Sequence, residues 1–342
     1  MSTYDQLQAT LKAAPKTWLV TGVAGFIGSN LLETLLALDQ RVVGLDNLST
    51  GSRRNLDQVH TLVSAEQWER FSFIEGDICD PDACRASCAG VDFVLHQAAL
   101  GSVPRSMTAP IETHRANVTG FITLCMAAHH ANVKRFVYAS SSAVYGDHPA
   151  LPKIEDKIGR PLSPYAASKL INEIYADTLA RTHGLHLIGL RYFNVFGARQ
   201  DPDGPYAAVI PKWIAALLRH EPVHVNGDGA TSRDFCHVAN VVQANLLAAT
   251  VEHADALNQV YNVGLGQRTT LNELFNLLKD SLRRRDPSLP DSKPILRDFR
   301  PGDVRHSLAD ISKARRLLDF QPTHHVKEGL ELAMDWYCRN VV

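Results

Sequence analysis

Tyr165 and Lys169 lie four residues apart, directly after Ser163-Pro164. On a helix that spacing puts both side chains on one face, and proline suits a first helical turn. A phenol has an ordinary pKa of about 10 and is a poor base at neutral pH. A neighbouring ammonium favours the phenolate and lowers that value. Upstream, Ser140, Ser141 and Ser142 form a row of hydroxyls able to hold a substrate oxygen. The set suits removal of a proton from an alcohol. Taken alone, the same spacing also describes a surface pair contributing a few tenths of a kcal/mol. The surroundings must decide between the two.

Those surroundings begin with Thr21-Gly22-Val23-Ala24-Gly25-Phe26-Ile27-Gly28. An apolar run, Trp18-Leu19-Val20, enters this stretch, and an amphipathic run, Phe26 to Leu38, leaves it. The pattern reads as strand, tight turn and helix. Glycines at every third position let a backbone turn sharply and let a pyrophosphate approach the helix N-terminus. The second apolar run, Arg41 to Leu45, ends at Asp46, where a carboxylate can take ribose hydroxyls. Its charge repels a 2'-phosphate, so NAD is expected rather than NADP. A nicotinamide near the serine row would give Tyr165 and Lys169 a partner: an alcohol loses its proton while its carbon loses hydride.

The 342 residues are 45% hydrophobic and 21% charged, with net charge -1. That balance fits a soluble globular protein and favours neither nucleic acid nor an anionic membrane as a partner. No apolar stretch approaches the length of a membrane span. Met1 to Lys16 carries no hydrophobic signal-peptide core, so a cytoplasmic location is expected. The six cysteines form no C-x-x-C pair and the fifteen histidines no H-E-x-x-H. Cys84 and Cys88 share a helix face, and buried thiols are expected there rather than zinc ligands. No catalytic metal is expected. The basic run Arg283-Arg284-Arg285 reads as a solvated helix C-terminus.

Positioning elements follow in order. A short leading helix precedes Pro15. Strands are expected at Phe71 to Gly76, Val91 to Leu95, Arg135 to Ala139 and His186 to Arg191. Long helices are expected over 111–130 and from Pro164 to about His183. Alternating strands and helices imply an α/β fold: a doubly wound parallel Rossmann sheet covered on both faces, with ligands at the strand C-terminal ends. Beyond Asn194 glycines and prolines thicken. The expected division is 1–193 plus 236–265 for the NAD-binding domain. A smaller, discontinuous C-terminal substrate-binding domain takes 194–235 plus 266–342.

From Thr17 onward the chain resembles the extended short-chain dehydrogenase/reductase superfamily. The resemblance rests on Thr21-Gly22-x-x-Gly25-x-x-Gly28, Asp77-Ile78, Gln97-Ala98-Ala99 and Asn117-Val118-Thr119-Gly120. It continues in Ser140-Ser141-Ser142-Ala143-Val144-Tyr145-Gly146, Ser163-Pro164-Tyr165-x-x-x-Lys169 and Arg191-Tyr192-Phe193-Asn194-Val195-Phe196-Gly197. It implies Tyr165, Lys169, Ser141 and Ser142 as catalytic residues, with Lys169 also on the nicotinamide ribose. Asp77 and Ile78 would lie along adenine, and Gln97, Ala98 and Ala99 along the nicotinamide side. The remaining expected cofactor contacts are Gly22, Gly25, Phe26, Ile27, Gly28, Asp46, Asn47, Ser49, Gly51, Asn117, Ser140, Tyr192 and Val195. Tyr145 is expected to pack within the serine turn.

Within the superfamily, sugar 4,6-dehydratases place Asp-Glu in the serine motif as acid and base for expelling water. Here Ser142-Ala143 stands in that place, which favours an epimerase. The chain resembles UDP-sugar epimerases at Ser232-Arg233-Asp234-Phe235 and Phe299-Arg300-Pro301-Gly302-Asp303. Arginine forks suit a diphosphate and a carboxylate suits ribose hydroxyls. The expected substrate contacts are Ser102, Ser141, Ser142, Tyr165, Asn194, Val209, Arg233, Arg300, Asp303 and Ser307. Ala207-Ala208 stands where related enzymes often carry an asparagine. Ser307 stands where enzymes selective for plain hexoses carry tyrosine, and a small residue leaves room for a 2-N-acetyl group. The alternative for Ser307 is a turn cap before a helix at 310–318. The resemblance is greatest to UDP-N-acetylglucosamine 4-epimerases of bacterial surface-polysaccharide (lipopolysaccharide) pathways. It implies a UDP-sugar substrate, tightly bound NAD and a homodimer through the 111–130 and 164–183 helices. A UDP-glucuronate epimerase or decarboxylase, and a non-catalytic NAD-binding regulator, are the alternatives.

Overall fold

The apolar runs become the strands of one sheet. The computed structural model describes residues 2–202, 208–299 and 304–340. Seven strands are β1 (Thr17–Thr21), β2 (Arg41–Asp46), β3 (Phe71–Glu75), β4 (Phe93–His96), β5 (Arg135–Ser141), β6 (Leu187–Tyr192) and β7 (Val260–Val263). They pair in parallel in the order β7-β6-β5-β4-β1-β2-β3. Trp18, Leu19 and Val20 are fully buried, as are Val94, Leu95 and Leu190. Such strands read as continuous apolar runs because helices cover both faces. Each fully buried large side chain contributes about 1.5–3 kcal/mol.

The strand order reverses between β1 and β4. After β1 the chain builds outward through β2 and β3, then returns to β4 on the other side of β1. A crevice opens at such a switch point, beyond the strand C-termini. The Gly22 turn and the Gln97-Ala98-Ala99 segment both emerge there.

Two helices frame that rim. The Pro164–His183 helix is capped by Ser163, which accepts the Ala166 amide, and ends at Gly184 in the left-handed region (φ 68°). The helix expected over 111–130 is continuous from Pro110 to His130 but contains a π-helical turn, Arg115–Thr119. The wider turn carries Asn117 into the interior. Its side chain accepts the Leu100 amide at 2.8 Å and donates to Ser168 Oγ at 3.0 Å. A helical repeat in the sequence does not reveal such a turn.

A second apolar core lies beyond β6. Ile210, Trp213 and Ile214 of the Val209–Leu218 helix meet Leu274, Phe275 and Leu278 of the Leu271–Arg285 helix. Leu330, Met334 and Tyr337 of the Val326–Asn340 helix complete it. The expected division gave all of 266–342 to this smaller unit, and one segment departs from it. Ala314, Leu318 and Phe320 bury their apolar faces in the core of the main sheet. The Ser312–Leu318 helix packs beside β7 and the Val238–Thr250 helix.

Cys84, Cys88 and Cys125 are buried free thiols, and burial pushes the Cys84 and Cys88 thiols up to about 12. Among the described residues, no helix is long and apolar enough to cross a membrane. Arg283, Arg284 and Arg285 occupy a helix's last turn and pair with Asp291, Glu331 and Asp335.

Candidate active site

Gly22 turns with φ 67°, and a Cβ there would lie 2.8 Å from the Ala98 amide nitrogen. A Cβ on Gly28 would lie 2.0 Å from the Gly22 carbonyl oxygen. Only glycine fits either position. Gly25 begins the Phe26–Ala37 helix and caps it without a side chain, leaving the N-terminal amides open toward the crevice. Asp46 ends β2, almost fully buried. Its carboxylate accepts the Ala24 amide at 2.9 Å and the Leu48 amide at 2.8 Å. Burial raises its pKa, against those two bonds. A carboxylate has about four acceptor positions, so capacity for ribose hydroxyls remains.

These residues line a cavity of about 650 Å³ at the switch point. Every expected cofactor contact except Asn117 lines it. Asn117 instead stands behind the wall and holds Leu100. The glycine turn, the helix N-terminus and Asp46 fit a dinucleotide: Gly22 to Gly28 would hold the pyrophosphate and Asp46 a ribose. Residues that the sequence did not single out also line the cavity, among them Cys79, Glu112, Arg115 and Gln200. They carry no motif; only the fold gathers them.

At the far end of the cavity stand Ser140, Ser141, Ser142, Tyr165 and Lys169. Tyr165 stands beside Ser141, whose Oγ accepts the Ala143 amide at 3.1 Å. Burial raises the Tyr165 phenol above its ordinary value, and the neighbouring Ser141 hydroxyl offsets part of that rise. Lys169 is buried and donates to the Ala139 carbonyl at 2.8 Å. Burial lowers its amine to about 8, opposed by the charge of Glu173. A burial-raised phenol needs a cation nearby to act as a base; Lys169 lies one turn further along the same helix and lines the same cavity. Among the described lining residues the carboxylates are Asp46, Asp77 and Glu112. None belongs to the serine turn.

A second cavity, of about 830 Å³, shares Asn194, Val195, Gln200 and Ala208 with the first. Val209, Arg233, Lys212, His224 and Arg297 line it. The lining is rich in cations, as a diphosphate requires. Asn194 stands at the junction of the two cavities with φ 28°, and its amide donates to the Asp234 carbonyl at 3.3 Å.

Other expected substrate contacts sit differently. Ser102 caps the Val103–Thr108 helix by accepting the Arg105 amide, while its neighbours Gly101 and Val103 line the first cavity. Ser307 is half-buried outside both linings, and its amide donates to the Ser232 carbonyl at 3.1 Å, beside Arg233. It does not cap the following helix, which starts at Ser312 after Ile311. Arg300 and Asp303 lie outside the described residues.

Known proteins match this chain over nearly its whole length. The putative UDP-glucose 4-epimerase of Methanocaldococcus jannaschii is 36% identical over 324 residues, 94% of this chain and 98% of that protein. The UDP-N-acetylglucosamine 4-epimerase of Methanobrevibacter ruminantium, solved with UDP-N-acetylmuramic acid, is 38% identical with a TM-score of 0.86. That match covers 95% of this chain and 99% of the other. The UDP-glucose 4-epimerase of Thermus thermophilus, solved with NAD, is 32% identical with a TM-score of 0.80, over 95% and 100% of the two chains. The model of the NAD-dependent epimerase/dehydratase family matches residues 18–264, from β1 through β7. The chain is thus an enzyme of the NAD-dependent epimerase/dehydratase family, with NAD as its cofactor.

Proposed function

We propose that this enzyme interconverts UDP-N-acetylglucosamine and UDP-N-acetylgalactosamine by epimerisation at C4. The observation that carries the reading is that Tyr165, Lys169, Ser141 and Ser142 line one cavity, at a rim whose Ser142-Ala143 turn holds no carboxylate. Such a rim can deprotonate and reprotonate an alcohol. It has no acid–base pair for expelling a 6-hydroxyl as water.

Tyr165 takes the O4 proton, and the Lys169 ammonium favours the resulting phenolate. Ser141 and Ser142 hold the sugar oxygen as it changes between hydroxyl and carbonyl. Bound NAD supplies a reversible hydride acceptor for C4, so the net reaction is redox-neutral. The 4-keto sugar must present its other face before reduction. The protein must therefore hold the nucleotide firmly and the sugar loosely. Arg233, with Lys212 and Arg297 across the second cavity, suits the first task. Asn194 stands at the junction between the two cavities. Ser307, a small residue next to the Ser232-Arg233 segment though outside both cavity linings, is assigned the role of sparing space for the acetamido group.

The chain is also proposed to form a homodimer. Ile111 is 84% exposed, Met107 62% and Ile174 58%. They lie on segments that pack against one another, including the Pro164–His183 helix. Exposed apolar side chains on neighbouring helices fit burial against a second copy of the chain.

The deciding experiment incubates purified enzyme with UDP-N-acetylglucosamine and no added NAD or reductant, then resolves the products. UDP-N-acetylgalactosamine is expected. Its absence, with turnover of UDP-glucose or UDP-glucuronate instead, would replace this substrate assignment. Release of a 4-keto-6-deoxy sugar would replace the reaction class.

A further inference from the structure

Tyr165, Lys169 and Glu173 recur at four-residue intervals along one helix. The third member is held from two strands. Glu173 Oε1 accepts the Ser140 hydroxyl at 2.6 Å and Arg191 Nε at 2.9 Å, and Oε2 accepts Arg191 Nη2 at 2.7 Å. The pair is buried, with side-chain exposures of 3% for Arg191 and 9% for Glu173. Arg191 is itself fixed, donating to the Glu155 carbonyl at 2.8 Å and lying 4.9 Å over the Tyr145 ring.

A buried ion pair is often only structural. Two features here point further. Ser140 lines the cofactor cavity next to Ser141, so the carboxylate grips the serine row itself. The second feature is the setting of Lys169. Its amine is buried against a neutral carbonyl, Ala139 O. The charged and titratable groups around it are few. Tyr165 and Glu173 share its helix. From the sheet come Tyr138 on β5, Arg191 on β6 and His96 on β4, the last held neutral because burial pushes it down to about 3. Asp177, one turn further along, is exposed and paired with Arg181. Of the Arg191–Glu173 pair, it is the carboxylate charge that acts on the amine, opposing the fall caused by burial. A glutamate free to move would draw the lysine into direct contact, away from Tyr165. Arg191 occupies both its oxygens, so it acts on Lys169 by charge and not by contact.

We propose that Glu173 is a positioning residue of this active site. Clamped by Arg191, its carboxylate anchors the Ser140 hydroxyl and supplies the fixed negative charge that keeps the buried Lys169 in its ammonium form. The inference rests on the reading of Tyr165 and Lys169 as the proton-handling pair. The burial that lowers the lysine and the carboxylate that opposes the fall agree in sign with this assignment.

The test reads Lys169 directly. Protein labelled with 13Cε-lysine is titrated by NMR, and the Lys169 resonance is identified by its loss in Lys169→Met. Glu173→Gln should lower the Lys169 midpoint by about one unit or more, whereas Glu173→Asp, which retains the charge, should recover most of the shift. Glu173→Gln leaves Arg191 buried without its carboxylate. The double variant Glu173→Gln with Arg191→Met removes both charges, a change that buried pairs often tolerate, and it should also lower the midpoint. In turnover, the alkaline limb of kcat against pH should move down with the NMR midpoint, and KM should change less than about threefold. A midpoint unchanged in both the single and the double variant would overturn the proposal and leave a structural ion pair. A shifted midpoint in protein that does not epimerise its substrate would keep Glu173's role and dismiss the substrate assignment alone.

Discussion

The Tyr192 hydroxyl donates to Gln97 Oε1 at 3.0 Å, joining the end of β6 to the end of β4 across the rim of β5. Asn245, from the Val238–Thr250 helix, closes a ring with the pair. Its Nδ2 donates to the Tyr192 hydroxyl at 2.9 Å, and its Oδ1 accepts Gln97 Nε2 at 3.0 Å. Three side chains from three elements thereby fix one wall of the cofactor cavity. Asn245 is fully buried and its carboxamide is consumed by this ring and the Val241 carbonyl. Its task is orientation of the other two.

Tyr192→Phe tests the ring. The variant removes one hydroxyl and takes from the fully buried Asn245 amide one of its acceptors. An unsatisfied buried polar group costs about 1–3 kcal/mol. A lower melting temperature is expected, along with reduced NAD content after purification, measured by extraction and absorbance. Full retention of both would mean that the wall does not depend on the ring.

Tyr165→Phe separates chemistry from binding. The substitution keeps the ring and deletes only the hydroxyl proposed to accept the proton. Loss of a positioned acid–base group costs about 10²–10⁴-fold in rate. Epimerisation should fall by that order while the UDP affinity, read by calorimetry, stays within about threefold. A fully active variant would remove Tyr165 from the catalytic account.

The glycine turn, Asp46 and the Tyr165/Lys169 pair were legible in the sequence because each is a local pattern: a strand, a spacing, a helix. The structure gathers them with the other expected cofactor contacts, Asn117 excepted, around one cavity. Glu173, Asn245 and the inward turn of Asn117 were not legible in that way. Glu173 sits one more helical step beyond Lys169, but its meaning comes from Arg191 on β6 and Ser140 on β5. Asn245 acts on partners 53 and 148 residues away in the chain. The Ser312–Leu318 helix could not be allotted from composition, since only its buried Ala314 and Leu318 show that it serves the main sheet. Local chemistry is written in spacing; support for that chemistry is written in the fold.

Gly28→Ala tests the cradle. The added Cβ would lie 2.0 Å from the Gly22 carbonyl oxygen and 2.8 Å from Val23 Cα, both backbone atoms that cannot swing aside. The turn must open or the helix must shift. The purified variant should carry little or no NAD and should melt lower than wild type. Unchanged cofactor content would show that the turn can relax without losing its ligand.

The proposed homodimer is tested at the exposed apolar positions. Ile111→Asp and Ile174→Asp each place a charge on an exposed apolar position without touching the cavity lining. Light scattering at micromolar concentration should show a dimer for wild type and a shift to monomer for the paired variant. A wild-type monomer would remove the proposal.

Ser307→Tyr addresses the choice of sugar. Ser307 follows His306, which bridges to Ser232, and its own amide is tied to the Ser232 carbonyl. The residue after Ser232 is Arg233, which lines the second cavity. A tyrosine at this half-buried place adds a ring of about 150–250 Å² of surface next to the segment assigned to the diphosphate. If the small side chain provides the space for an acetamido group, kcat/KM for UDP-N-acetylglucosamine should fall at least about tenfold. UDP-glucose should be spared to within about threefold, since a pocket discriminates through the group it excludes. Ser307→Ala should leave both substrates near wild type, because it keeps the space and removes only a hydroxyl. Equal losses on both substrates for the tyrosine variant would point to a packing defect in the 304–309 segment. Unchanged turnover of the acetylated sugar would mean that Ser307 does not gate the site.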